Sequence, residues 1–275
     1  MNRLLWLSFA VLVSLAAACA ATSVAPTPEA RQSLTPTGKL RVAINVGNPA
    51  LAKRDPASGE VSGIAIDLGR ALASRLDAEF VPVLYPNAGA LVDGAKAGAW
   101  DVAFAAIDPA RADTLEFTAP YMEVGNTLLV SLSSGIRTLA EADRPGVRVG
   151  VGVKNAADLF LSRNLKEAEL VRVADTLDAA VELLQTGKAD VYAGNGERLV
   201  ALRDRLQGYR ILEGRYYSVE HAIAVPRGRR PGSMFAAAFV EELKSSGAVA
   251  QAIKRHSIRG VEVAPSARGR AAAGG

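Results

Sequence analysis

AGAWDVAF (residues 97–104) and TGKADVYA (residues 186–193) share Gly, Asp and Val at the same spacing. In both stretches a helical pattern ends at the glycine, and a continuous apolar run follows the aspartate. Glycine commonly ends a helix, and an unbroken apolar run is typical of a strand that is buried on both faces. We therefore interpret the two stretches as an architectural repeat of helix, glycine cap and buried strand.

Strands and helices alternate around both copies of this repeat. In the first half, apolar runs and helical spacing predict a strand at 40–46, a helix from 66, a strand at 80–84, a helix at 90–96 and strands at 101–106 and 127–132. In the second half they predict a strand at 147–151, a helix at 157–165, a strand at 170–173, a helix at 179–184 and the strand of the second copy. This alternation indicates an α/β fold with a mostly parallel sheet in each half.

The last part of the chain is expected to return to the first half. A strand at 222–225 precedes helices at 235–243 and 249–253, which have no lobe of their own. We predict a first lobe of residues 38–130 plus 222–262, a second lobe of residues 131–221, and a double-crossover hinge between them. Because parallel sheets place their binding loops at the carboxyl ends of the strands, the predicted site is the crevice between the lobes.

Both ends of the chain are predicted to lie outside this fold. Residues 1–20 have the basic start, apolar run and small residues of a secretory signal peptide. Cys19, the only cysteine, allows two interpretations: cleavage before Ala21, or a lipoprotein that carries its lipid on Cys19. Residues 21–37 are predicted to be a linker and residues 263–275 a flexible tail, because small and polar residues predominate there without apolar periodicity.

Charge and composition argue against several classes of function. The net charge of +4 is mildly basic, but Lys and Arg are scattered among acids and aromatic residues are few, so nucleic-acid binding is not expected. The single cysteine leaves the mature domain without a disulfide. His221 and His256 lie far apart and have no ligand motif around them, so we expect no metal site. No phosphate-binding loop is present, and we expect no cofactor.

Four motifs carry a resemblance to a known family. GKLRV (38–42) matches its first strand, and GIAIDL (63–68) stands where the family has Gly-Phe-Asp-x-Asp-Leu. IDPAR (107–111) stands where it has Ile-Thr-x-x-Arg, and FTAPY (117–121) looks like its Phe-Ser-x-Pro-Tyr. By the order and spacing of these motifs, residues 38–258 resemble the family 3 periplasmic solute-binding proteins, the polar amino-acid receptors of ABC transporters.

The resemblance implies a type II periplasmic-binding-protein clamshell that closes on a small-molecule ligand. It also implies an exported, periplasmic receptor that catalyses no reaction and passes its ligand to an ABC transporter permease in the inner membrane. We expect the receptor to be a monomer. In the family, the arginine at the position of Arg111 clamps the ligand carboxylate, a task for which a guanidinium fork is suited.

Several predicted pocket positions depart from the amino-acid-binding pattern. Asn45 and Asn195 stand where relatives carry acids, and the acid at the second position holds the ligand ammonium. Ala106 stands where a hydroxyl residue is usual. Because a buried ammonium without a charged partner is costly, the two amides predict a ligand that has a carboxylate or another anion but no strongly held ammonium.

The family's Gly-Thr-Thr helix start is replaced here by Lys154-Asn155-Ala156. We expect Lys154 to assist in holding the anion, and Asn155 to cap a helix whose N–H groups also face it. Asn48, in the loop after the first strand, is a further candidate ligand contact. Alternatively, Asp108 or Glu197 takes over an ammonium contact.

Two other functions stay open at this point. The same clamshell hosts enzymes that resemble cyclohexadienyl dehydratase, for which Glu197, Asp108 and Glu220 would be the candidate proton-transfer groups. A sensory receptor that signals to a membrane partner without transport is the third possibility.

Overall fold

The computed structural model describes residues 24–267. The predicted signal peptide, Cys19 and the end of the predicted tail lie outside the described residues. Within residues 24–267, no helix has the length and apolar character needed to cross a membrane.

Strands and helices alternate along the described chain. The strands are β1 (Lys39–Asn45), β2 (Lys53–Arg54), β3 (Val61–Ser62), β4 (Glu79–Tyr85), β5 (Val102–Ala106), β6 (Leu115–Phe117), β7 (Met122–Ser131), β8 (Arg148–Gly152), β9 (Glu169–Val173), β10 (Val191–Asn195), β11 (Tyr209–Ile211), β12 (Tyr217–Pro226) and β13 (Val261–Val263). The helices are α1 (Pro28–Leu34), α2 (Ile64–Arg75), α3 (Ala88–Lys96), α4 (Leu139–Ala142), α5 (Ala156–Asn164), α6 (Leu177–Gln185), α7 (Gly196–Arg205), α8 (Arg230–Ser245) and α9 (Ala248–Arg255), with a 3₁₀ turn at Pro109–Arg111. Each strand and helix predicted from the sequence overlaps one of these elements.

A continuous sheet in the order β4-β1-β5-β12-β7-β10-β8-β9 links the two halves. Its two ends, β4-β1-β5 and β10-β8-β9, are parallel, whereas its centre is antiparallel. Strand β7 pairs with β12 through residues 122–126 and with β10 through residues 126–130. Strand β12 pairs with β7 through residues 217–221 and with β5 through residues 221–224. Each long strand therefore crosses from one half to the other, and together they form the predicted double-crossover hinge.

Within residues 24–267, four clusters of buried apolar side chains form the cores of two lobes, with two clusters in each lobe. In the first lobe, α2, α8 and α9 pack on one face of the sheet and α3 on the other. In the second lobe, α5 packs on one face, and α6 and α7 pack on the other. The predicted α/β clamshell is confirmed, and the residue limits given for its lobes stay a prediction.

The repeated sequence stretches form the same structure in both lobes. Asp101 accepts hydrogen bonds of 2.8–3.1 Å from the backbone N–H, Nε and Nη2 of Arg41. Asp190 accepts the equivalent three hydrogen bonds, also of 2.8–3.1 Å, from Arg148. The glycine of each copy has a φ of +65° or +63°, the left-handed conformation that favours glycine. The two stretches are thus a structural repeat, in which each aspartate ties the start of a buried strand to the first strand of its lobe.

The predicted linker, residues 21–37, contains a helix that packs on the first lobe. The Oγ1 atom of Thr27 accepts a hydrogen bond from the backbone of Ala30, and Pro28 begins the helix, which are both helix-start signals. Leu34 is fully buried, and a Cβ added to Gly232 of α8 would lie 2.6 Å from its Cδ2. The linker prediction is therefore corrected for residues 28–34, where Pro and Thr begin a helix.

The predicted tail also begins inside the fold. Val263, its first residue, pairs with Met122 in the sheet. The backbone N–H of Ala264 donates to the carbonyl of Tyr121 at 3.1 Å, and Ala264 is buried. The tail prediction is therefore corrected for residues 263 and 264, and residues 268–275 lie outside the described chain.

Candidate ligand-binding site

A cavity of about 50 Å³ lies between the two lobes. One part of its lining lies at, or within three residues of, the carboxyl ends of β1, β5, β8, β9 and β10, and includes Asn45, Ala106, Asn155, Asp175 and Asn195. Other lining residues come from α3 and from the hinge strands β7 and β12. The cavity therefore occupies the crevice that the sequence predicts. Polar side chains make up much of the lining: Asn45, Asn48, Arg111, Asn126, Asn155, Asp175, Asn195, Arg198 and His221.

Arg111 is buried in the wall of this cavity, with 6% of its surface exposed. Its Nη1 donates to the carbonyl of Ala106 in the first lobe at 2.8 Å, and its Nη2 to the carbonyl of Lys154 in the second lobe at 3.3 Å. Burial lowers the pKa of the guanidinium, although nearby Asp108 and Asp175 act in the opposite direction. These hydrogen bonds use two of the five N–H donors of an arginine. Arg111 is therefore a buried cation with donors left for a cavity occupant.

Arg198 and Asp175 form a buried ion pair that the sequence analysis missed. The Nη2 of Arg198 lies 3.1 Å from a carboxylate oxygen of Asp175 and donates to the carbonyl of Gly47 at 2.6 Å. Asn155 donates to the same Asp175 oxygen at 3.0 Å. A Cβ added to Gly152 would lie only 2.1 Å from that oxygen, so the close approach of Asp175 requires glycine there. The position of Asp175 just after β9 was the available sequence signal.

The four asparagines that the sequence predicts at the site all line the cavity. Asn155 caps α5, and the Oδ1 atom of Asn195 caps α7. The Nδ2 atom of Asn195 donates a hydrogen bond of 3.0 Å to Asn48 across the cleft. The Oδ1 atom of Asn45 accepts from the backbone N–H of Gly47 at 3.0 Å. The amides thus fix the loops and helix starts around the cavity, and the Asn195–Asn48 hydrogen bond joins the two lobes.

Three other predicted positions have different placements. Ala106 lines the cavity, and its carbonyl holds Arg111. Lys154 contributes its carbonyl to Arg111, but its side chain lies outside the cavity lining and close to Gly89. Asp108 also lies outside the lining, because its carboxylate pairs with Arg163 at 2.9 Å. That the Lys154 and Asp108 side chains contact the ligand stays a prediction, which their placement outside the described lining does not support.

His221, to which the sequence analysis gave no role, lies in the cavity wall on the hinge strand β12. It is 3% exposed, and its Nδ1 lies 3.3 Å from the carbonyl of Val219. Burial lowers the pKa of His221 to about 4, and the charge of Arg111 contributes to this shift. The imidazole is therefore neutral at physiological pH.

Two ion pairs also join the lobes beside the cavity. Asp108 of the first lobe pairs with Arg163 of α5, and Lys53 of the first lobe pairs with Glu197 of α7 at 2.8 Å. Glu197 also accepts from the backbone N–H of Arg259 at 2.7 Å, which explains why it does not reach the cavity. The structure therefore shows the lobes in contact around a small space.

The ionised side chains of the cavity lining sum to one positive charge. Arg198 and Asp175 neutralise each other, His221 is neutral, and Arg111 has no ion-pair partner within residues 24–267. Burying a charge is costly without a partner, so this arrangement favours an occupant with one negative charge. In the same part of the chain, no group of three His, Cys, Asp or Glu side chains is placed to hold a metal ion.

Comparison with known proteins decides the family. The family model for bacterial extracellular solute-binding proteins, family 3, matches residues 40–257. The chain belongs to this family. The resemblance seen in the four sequence motifs is thereby confirmed.

Relatives of this family 3 protein include binding proteins and an enzyme. It is 29% identical over 194 residues to the cyclohexadienyl dehydratase of Pseudomonas aeruginosa, covering 67% of this chain and 70% of the enzyme. A mutant of ArgBP from T. maritima superposes with a TM-score of 0.70 at 24% identity, covering 83% of this chain and 99% of that one. The amino acid ABC transporter substrate-binding protein AbpA from Streptococcus pneumoniae, bound to L-arginine, gives a TM-score of 0.69 at 18% identity, covering 82% and 97%.

The carboxylates of this family 3 protein that could transfer a proton are ion-paired or lie outside the described cavity lining. Of the acids considered for an enzyme, Asp108 and Glu197 are ion-paired outside it, and Glu220 is not among its lining residues. Asp175 is the carboxylate of the described lining, and it is bound to Arg198 and Asn155.

Proposed function

We propose that this protein is the periplasmic receptor of an ABC importer and that it binds a small monocarboxylate between its lobes. The observation that carries the proposal is Arg111, a buried guanidinium in the cavity wall without an ion-pair partner in residues 24–267. A guanidinium fork fits two carboxylate oxygens. Because Arg111 also bonds carbonyls of both lobes, an anion bound to it would favour the closed form.

The charge of the cavity argues for a ligand without an ammonium. A zwitterionic amino acid adds no net charge, so it would leave the excess positive charge of Arg111 uncompensated. Asn45 and Asn195 offer amides where an ammonium needs a carboxylate, and Asp175 is already paired with Arg198. A simple monocarboxylate neutralises the cavity.

The cavity is small in the arrangement of the lobes seen here. Its volume of about 50 Å³ favours a small monocarboxylate over a large anion. Carboxylic acids of two to four carbons are the smallest members of this class, so they are the first to test.

The transport role is proposed from the relatives. AbpA is a substrate-binding protein of an amino acid ABC transporter, and it shares the fold of this chain. We propose that the receptor is a monomer that docks on a permease in the inner membrane, either free in the periplasm or held by a lipid on Cys19. Uptake of a labelled acid in cells with and without the gene would test this role.

Dehydratase activity is the second candidate, favoured by the 29% identity to the cyclohexadienyl dehydratase. The carboxylate that the described lining offers, Asp175, is ion-paired with Arg198 and is not free to transfer a proton. Purified protein should therefore not convert prephenate or arogenate. Turnover of either compound would establish an enzyme instead of a receptor.

A thermal-shift screen tests the ligand class. The panel pairs acetate, propanoate and pyruvate with glycine, alanine and arginine at equal concentration and pH. A ligand at a hundred times its Kd stabilises the folded state by about 2.7 kcal/mol, a shift of several degrees. We expect shifts for the acids alone. Stabilisation by alanine or arginine, with none by the acids, would overturn the proposal.

A further inference from the structure

His221 and Arg111 lie side by side in the cavity wall. In the sheet, His221 of β12 pairs with Ala106 of β5, and the carbonyl of Ala106 accepts the Nη1 hydrogen bond of Arg111. Both side chains line the cavity, and both are more than nine-tenths buried. A group bound to the guanidinium therefore shares the cavity with the imidazole.

The hydrogen bonding of His221 determines its tautomer. The Nδ1 atom lies 3.3 Å from the carbonyl of Val219, and a carbonyl oxygen can only accept. In the neutral ring Nδ1 therefore carries the proton, and Nε2 has a lone pair and no proton. No residue within 24–267 forms a hydrogen bond with Nε2. Because His221 lines the cavity, this acceptor is available to a donor on the ligand.

We propose that Nε2 of His221 accepts a hydrogen bond from a hydroxyl group on the carbon next to the ligand carboxylate, so that the ligand class is the 2-hydroxy monocarboxylates. This inference rests on the proposed function, because it takes the carboxylate to be held by Arg111.

A hydroxyl satisfies the surroundings of Nε2 better than an ammonium does. The charge that acts on the imidazole is that of Arg111, a cation that repels an ammonium and leaves a neutral hydroxyl unaffected. A hydroxyl supplies one donor for the one free acceptor. With a pKa of about 4, His221 stays neutral and keeps this acceptor throughout the neutral pH range.

Matched pairs of acids test the inference by isothermal titration calorimetry at pH 7. Lactate is compared with propanoate, and glycolate with acetate, because each pair differs in one hydroxyl. One hydrogen bond to a buried acceptor corresponds to about a tenfold preference for the hydroxy acid. In His221→Phe the ratio of lactate to propanoate affinity should fall to about one, whatever the absolute affinities of the variant. In His221→Gln, whose amide oxygen can still accept, part of the preference should return.

Each outcome separates this inference from the proposed function. If wild-type protein binds lactate and propanoate equally, or if His221→Phe keeps the preference, the inference is overturned and carboxylate binding stands. If none of the four acids binds, the proposed function fails first. Because the wild-type ratio is decisive alone, the test does not depend on the folding of either variant.

Discussion

Replacing Arg163 by alanine should weaken ligand binding while both lobes stay folded. Arg163, in α5 of the second lobe, donates hydrogen bonds of 3.2 and 2.9 Å to the carboxylate of Asp108 in the first lobe. The Asp108 side chain is 4% exposed and the Arg163 side chain 45%. Because its partners belong to different lobes, this ion pair stabilises the closed form and is absent from an open one.

The size of the effect follows from these contacts. A hydrogen bond to a charged group contributes roughly 1.5–3 kcal/mol, and exposure of Arg163 to solvent places this pair at about 1.5 kcal/mol. The variant loses this free energy of stabilisation in the closed form alone. Since 1.4 kcal/mol is a factor of ten in an equilibrium and ligand affinity depends on the closed fraction, Kd should rise about tenfold.

Titration calorimetry with the best acid from the screen measures this change, and Arg172→Ala is the matched control. Arg172 is also 45% exposed and pairs at 2.8 Å with Asp158, whose side chain is 6% exposed, but both residues belong to the second lobe. Arg172→Ala should lower the melting temperature and leave Kd unchanged. Wild-type affinity in Arg163→Ala, or an equal loss of affinity in both variants, would contradict a role of this ion pair in closure.

Three further predictions concern stability. Leu34→Ala should lower the free energy of unfolding by about 2–5 kcal/mol in urea titrations, because Leu34 of α1 is fully buried; no change would mean that α1 does not pack on the fold. Tyr121→Phe should leave the calorimetric melting temperature unchanged or slightly raised, because the buried Tyr121 hydroxyl has no partner within residues 24–267, and a marked drop would contradict this. Between pH 6.5 and about pH 4, the free energy of unfolding of the wild-type protein should fall by about 3 kcal/mol more than that of His221→Phe. The reason is that the unfolded chain binds a proton at this histidine at a higher pH than the folded protein does. Parallel curves of unfolding free energy against pH for the two proteins would refute a buried neutral histidine.

Most of the fold could be predicted because its apolar patterns are periodic and local. Strands such as β5 and helices such as α2 bury one continuous set of side chains, which the sequence shows directly. Helix α7 was missed because charged residues surround its buried Leu199 and Leu202. The whole length of β7 and β12 was also missed, since each strand changes partner at the hinge and its burial pattern changes with it.

The site could be predicted only in part, because its side chains meet in three dimensions. Arg111 was found through the resemblance of its motif to a family motif. Asp175, Arg198 and His221 come from three separate elements, and nothing in the local sequence shows that they line one cavity. Asp108 has a carboxylate that could contact a ligand, but this carboxylate forms an ion pair with Arg163, which is 55 residues away in the chain.

The central claim is that Arg111 binds the carboxylate of a small anion, and titration calorimetry of Arg111→Ala tests it most directly. The acid that most stabilises the wild-type protein should bind the variant about a hundredfold more weakly, as expected when one partner of a buried charge pair is removed. The unliganded variant should unfold at the same temperature as wild type or higher, because a buried cation without an ion-pair partner has been removed. Equal affinity of the two proteins for that acid would contradict the account.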